Sequence, residues 1–115
     1  MTRSPSIPLR SVLAALEAQL LTDRADAELR GCYISDLLSD VLAHADPGVL
    51  WVTIQTHRNV VSVASMKEVA AVLFSCGRQP DTAIIAEAEA EGIVLLTTPL
   101  TTFHAAAKLW EAGIR

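Results

Sequence analysis

Cysteine is almost missing from this chain of 115 residues, where only Cys32 and Cys76 occur. They lie far apart and outside any Cys-x-x-Cys spacing, so neither a disulfide scaffold nor a zinc site is indicated. Clustered positive charge is missing too. With 9 Lys and Arg against 13 Asp and Glu, the net charge is -4 and the isoelectric point is near 5.2. No local basic patch offsets this balance, which excludes the electrostatic footprint of a nucleic-acid binder. No apolar run approaches the roughly 18 residues of a membrane span. The opening Met-Thr-Arg-Ser-Pro-Ser-Ile-Pro has no apolar core like that of a secretion signal, so a reduced, cytoplasmic protein is the expectation. A Gly-x-x-x-x-Gly-Lys-Ser/Thr loop is absent as well, and with it the element that would cradle phosphates in a kinase.

What the chain has in excess is apolar side chain. Hydrophobic residues make up 51% of it and the mean hydropathy is +0.37. For a protein this small, that excess points to a subunit interface and so to a homodimer. The length suits one domain. Residues 1–8 read as a flexible Pro- and Ser-rich lead, and residues 9–115 as a single α/β domain.

Three stretches organise the rest. Val49 to Asn59, Val69 to Arg78 and Ile93 to Thr102 each pass from an apolar run into a row of polar side chains. Each reads as a buried strand delivering a loop, and three such loops would leave one edge of one parallel sheet. Around them the spacing predicts an amphipathic helix over Leu9 to Leu20 and a strand over Ala27 to Ile34, in which Gly31 marks a bulge or a close backbone approach. A helix capped by Ser35 follows, then a turn at Asp46-Pro47-Gly48. Thr56 reads as the cap of a helix over His57 to Lys67. The next helix starts near Pro80, turns Ile84, Ile85 and Ala88 inward and ends at Gly92. A last helix, capped by Thr101 or Thr102, carries Phe103, Ala106, Ala107 and Trp110 on one face and stops at Gly113. The β-α alternation predicts an α/β fold of three layers, with a mostly parallel sheet and helices on both faces.

Asp36-Leu37-Leu38-Ser39-Asp40-Val41, Trp51 through Asn59, Gly77-Arg78-Gln79-Pro80-Asp81 and Leu96 through Phe103 together resemble the standalone DRTGG-domain proteins. The likeness covers nearly the whole chain from Leu9 on. It implies the fold of the N-terminal domain of HPr kinase/phosphorylase, a regulatory role, and an association with iron-only hydrogenase loci. It implies no reaction. Where the family has its Asp-Arg pair, this chain has Thr56-His57 or His57-Arg58, and Ser75-Cys76-Gly77 stands for the Thr-Gly-Gly triplet.

The candidate site is the polar edge. Gln55, Thr56, His57, Arg58 and Asn59 from one loop, Ser75, Gly77 and Arg78 from the next, and Thr97, Thr98, Thr101 and Thr102 from the third would converge there. Helix N-termini and two arginines would suit a small anion or a nucleotide. The same residues also read as caps, turns and solvated charges. His57 has no nucleophile or carboxylate partner by spacing, so a non-catalytic, ligand-sensing domain is favoured over an enzyme. Two cysteines per chain could supply four thiolates only across a dimer, and their spacing resembles no cluster-binding run. They read as small buried hydrophobes, and no metal or cofactor is expected. The competing expectation is a dimeric interaction or scaffold module tied to hydrogenase assembly or regulation. Trp51, Phe103, Leu109, Trp110 and Ile114 would supply its apolar surface, with the C-terminal helix as the dimer face.

Overall fold

In the computed structural model, which describes residues 6–115, the chain runs through β1 (Ile7–Pro8), β2 (Gln19–Leu20), β3 (Glu28–Leu29) and β4 (Gly31–Ile34). It continues through α1 (Leu38–His44), β5 (Val49–Thr53), α2 (Asn59–Lys67), β6 (Ala71–Phe74), α3 (Thr82–Glu91), β7 (Leu95–Thr97) and α4 (Thr102–Glu111). Five strands form one sheet in the order β2-β7-β6-β5-β4. The strands β4 to β7 are parallel, and β2 joins β7 antiparallel.

Every residue of β5 and β6 is buried. A central parallel strand is covered on both faces, which is why these segments read as continuous apolar runs and not as alternating ones. Their side chains still alternate in direction. Leu50, Val52, Ala71 and Leu73 meet Leu9, Val12, Leu16, Ala105 and Leu109 on one face. Trp51, Val72 and Phe74 meet Val41, Val60, Val61, Ala64 and Ala88 on the other. The result is three layers: α1, α2 and α3 on one side, the sheet, and α4 with the N-terminal segment on the other. Strands added in one direction by crossovers of one hand put every crossover helix on the same face, so the split is three helices against one.

Local expectations were met where the chain has its own punctuation. Asp81 caps α3 through the Ile84 N–H, Thr101 caps α4 through the His104 N–H, and Gly92 ends α3 with φ 73. They failed where a distant partner intervened. The helix expected over Leu9 to Leu20 is a 3-10 turn at Leu9–Ser11, irregular turns, and then β2. Leu9, Val12 and Leu16 are buried as their spacing suggests. The Thr98 hydroxyl, however, donates to the Leu16 carbonyl, Glu17 turns the chain with φ 51, and Gln19 and Leu20 pair with Thr97 and Leu96. The strand expected over Ala27 to Ile34 is two strands, because Glu28–Leu29 pairs with Ile7–Pro8 in a separate ribbon. Most of the expected lead, residues 1–5, lies outside the described residues; its end, Ile7–Pro8, is that ribbon.

Two caps were misplaced. Helix α1 starts after Leu37, without a side-chain cap; Ser35 Oγ instead accepts the Leu37 N–H at 3.2 Å, a local turn that competes with helix entry. Helix α2 starts after Arg58 and is not capped by Thr56. On α4 the buried residues are Ala105 and Leu109, and Phe103 and Trp110 are 76% and 61% exposed. The helix carries two apolar stripes; the one with the small Ala105 packs on the sheet.

Gly31 is a close approach, as its position suggested: a Cβ there would lie 2.8 Å from the Arg115 carbonyl oxygen. Backbone cannot swing aside like a side-chain end, so Gly31→Ala is expected to cost about 1–3 kcal/mol, the usual range for overpacking. Urea unfolding measures it. A variant as stable as the parent would mean that the contact is not tight.

Candidate functional site

Parallel strands that end level with one another deliver their loops to one rim. Here Ile34 lies opposite Val52, Thr53 opposite Phe74, and Phe74 opposite Thr97. The segments after β5, β6 and β7 therefore do leave the same edge of the sheet, as expected.

Hydroxyls and one carboxylate tie these segments together. Asp36 Oδ1 accepts the Thr53 hydroxyl and the Ile54 N–H, both at 2.8 Å. Thr53 Oγ1 in turn accepts the Gln55 N–H at 3.0 Å. Ser75 Oγ and Thr102 Oγ1 lie 2.6 Å apart, and the Thr97 hydroxyl donates to the Arg78 carbonyl at 2.6 Å. Cys76 and Gly77 both take positive φ, 61 and 71. That turn aims their N–H groups at the neighbouring loop, where they donate to the Leu100 and Thr98 carbonyls, each at 2.8 Å. Thr98 Oγ1 accepts the Leu100 N–H at 3.1 Å. Buried polar groups must be paired, and these are.

Several residues expected to meet an anion are thus occupied with the fold. The Gln55 side chain accepts the His57 N–H, and His57 Nδ1 accepts the Asn59 N–H, each at 3.1 Å. These bonds, with the Asp81 and Thr101 caps, consume N–H groups at the helix starts that the sequence reading left open for a ligand. Arg58 forms an ion pair with Glu87, whose hydrogen bond and negative charge raise the Arg58 pKa. Arg78 is exposed and makes no ion pair among the described residues.

A cavity of about 310 Å³ opens between the starts of α2 and α3, lined by His57, Arg58, Asp81, Ala83 and Ile84. It brings together two of the expected residues. Ser75, Gly77, Arg78, Thr97, Thr98 and Thr101 share the rim but do not line it. Asp36, Asp81 and Glu87 were not foreseen as site residues. Asp81 follows Pro80 at a helix start, a local cap signal; nothing local marks the distant partners of Asp36 and Glu87.

The two cysteines are free thiols in different surroundings. Burial pushes the Cys32 thiol up to about 11, which leaves it a poor nucleophile and ligand. Cys76 is exposed at the rim, contrary to the buried position expected of it. Among the described residues no group of three or more His, Cys, Asp or Glu side chains could hold a metal ion, and no helix is long and apolar enough to cross a membrane.

The family model of the DRTGG domain matches residues 11–112. No curated protein matches the sequence. One similar solved structure holds the CBS and DRTGG domains of the regulatory region of Clostridium perfringens pyrophosphatase, complexed with its activator, diadenosine tetraphosphate. The TM-score is 0.73 at 17% identity, over 88% of this chain and 45% of that one. This chain thus spans less than half of its neighbour's length, and the likeness is one of fold.

The Asp36 clamp is testable without any ligand. Hydrogen bonds to a charged group are worth about 1.5–3 kcal/mol. Asp36→Ala is therefore expected to lower unfolding free energy by that order, and Asp36→Asn by less, because an amide oxygen still accepts. Equal losses for both in chemical denaturation would show that charge alone matters there.

Proposed function

The chain belongs to the DRTGG-domain family, and from that premise we propose that it is a non-catalytic regulatory domain sensing a small phosphate-bearing ligand, a nucleotide, at the carboxyl rim of its parallel strands. One observation carries this reading: the cavity between α2 and α3 has Arg58 in its wall, paired among the described residues with one surface carboxylate, Glu87. Exposed ion pairs are worth about 0–1 kcal/mol. A phosphate can take a guanidinium through two parallel bonds and would displace Glu87 at small cost. Freeing Glu87 changes what holds α3 to α2, which is how occupancy would be relayed. Arg78, on the adjoining loop and without an ion pair among the described residues, adds a second positive charge along the same rim. In this scheme His57, Arg58 and Arg78 face the ligand. Gln55, Thr56, Asn59, Ser75, Gly77, Thr97, Thr98 and Thr101 form and position the loops. The neighbour's activator is a nucleotide in a regulatory region, which supports the choice of ligand class.

A second reading, a protein-interaction or scaffold module, is favoured by α4. Phe103 and Trp110 present their rings to solvent, and the Arg115 guanidinium stacks 3.8 Å from the Trp110 ring centre. A hydrogenase-related partner, in a cytoplasmic setting, would dock on this face.

Calorimetric titration of ATP, diadenosine tetraphosphate and inorganic phosphate separates the two readings. Binding that weakens at least tenfold in Arg58→Ala, equivalent to about 1.4 kcal/mol, and is unchanged in Phe103→Ala, is the expected result. No heat from any of the three at millimolar concentration would remove the sensing proposal.

A further inference from the structure

We infer that Asp81 reads the sugar of the ligand, so that the cavity between α2 and α3 takes a ribonucleoside monophosphate, or one end of a longer ribonucleotide, and discriminates against free phosphate. The inference rests on the ligand-sensing reading of that cavity and names what the ligand carries besides an anion. A wall made for phosphate alone would be lined by charge of one sign. This one is not. Arg58 and Asp81 both line it, and the Asp81 charge is near enough to favour the protonated guanidinium. A free phosphate dianion docking on Arg58 would be repelled by Asp81 at close range. A ligand with hydroxyl donors beside its phosphate turns the same carboxylate into a partner.

The carboxylate has capacity for that. Its hydrogen bond among the described residues, from the Ile84 N–H at 3.1 Å, goes to Oδ1 and caps α3. Oδ2 is left as an acceptor, on a side chain that the cap holds in place. Acidic side chains take ribose hydroxyls in the same way in dinucleotide sites. His57 adds a donor. Its Nδ1 accepts the Asn59 N–H at 3.1 Å, and a backbone N–H can only donate, so the proton of the neutral ring sits on Nε2. Ala83 and Ile84 complete the wall with apolar surface, on which a base can rest. The volume, about 310 Å³, lies at the small end of ligand pockets, which run from about 300 to 1,000 Å³. It gives room for one nucleoside phosphate unit.

Calorimetry with AMP, its 2′,3′-dideoxy analogue and inorganic phosphate tests the inference on the unmodified chain. AMP is expected to bind about tenfold more tightly than the dideoxy analogue, a factor that one hydrogen bond to a charged group supplies, and inorganic phosphate more weakly than AMP. Asp81→Asn is the matching variant. Asparagine caps a helix about as well as aspartate does, so the thermal midpoint should stay near that of the parent, while the amide group removes both the charge and the second acceptor. In this variant AMP and its dideoxy analogue should bind alike, and inorganic phosphate should bind more tightly than it does to the parent. Equal binding of AMP and its dideoxy analogue to the parent, with both lost in Arg58→Ala, overturns the inference and leaves the sensing reading standing. So does an Asp81→Asn variant that folds like the parent and keeps the preference for AMP. Heat from none of the three ligands removes both.

Discussion

Thr53, Ser75 and Thr98 are buried at the carboxyl rim, and a buried hydroxyl has to be paired. Their partners are what hold this end of the molecule together. Asp36 reaches over from the loop after β4 to take Thr53, Thr102 at the start of α4 meets Ser75, and Thr98 joins the irregular N-terminal segment at Leu16. Each bond joins elements far apart in sequence. Among the described residues no buried side-chain polar atom lacks a partner. The rim is therefore a closed network, in which losing one member strands another.

That closure determines where a ligand can bind. A rim lined with threonines, serines and helix starts looks from its composition like an anion cradle. Most of its donors are already given to neighbouring loops, and the helix starts are capped by Asp81, Thr101 and the Gln55–His57 relay. What remains adjustable is charge on the outside: Arg58 against Glu87, and Arg78, which makes no ion pair among the described residues. The proposed sensing rests on those side chains, with the hydroxyls as scaffold.

Topology adds a second constraint. Open α/β sheets bind ligands at the point where strand order reverses, because adjacent loops part there. The strands β4, β5, β6 and β7 stand in sequential order with no reversal. Their loops stay in contact, and the opening lies instead between the N-terminal ends of α2 and α3, which pack side by side on one face. The same order leaves β4 at the end of the sheet. One strand order thus accounts both for a small rim cavity and for an open sheet edge.

From Gly31 onward the fold was legible in the amino-acid sequence, because burial on both faces imposes apolar runs on β5 and β6 and cap residues mark α3 and α4. Apolar spacing in the first twenty residues identified what is buried but not its shape. Leu9, Val12 and Leu16 reach the core from irregular turns as readily as from a helix, and pairing with β7 decided between them. Likewise the polar letters of the candidate site were visible, yet their division into scaffold and wall was not. Hydrogen bonds such as Asp36 to Thr53, and the ion pair of Arg58 with Glu87, depend on which elements lie side by side, a long-range geometry that no local pattern records. Sequence therefore determined which groups are polar, apolar or turn-forming; tertiary contact alone decided which of them were left over for another molecule.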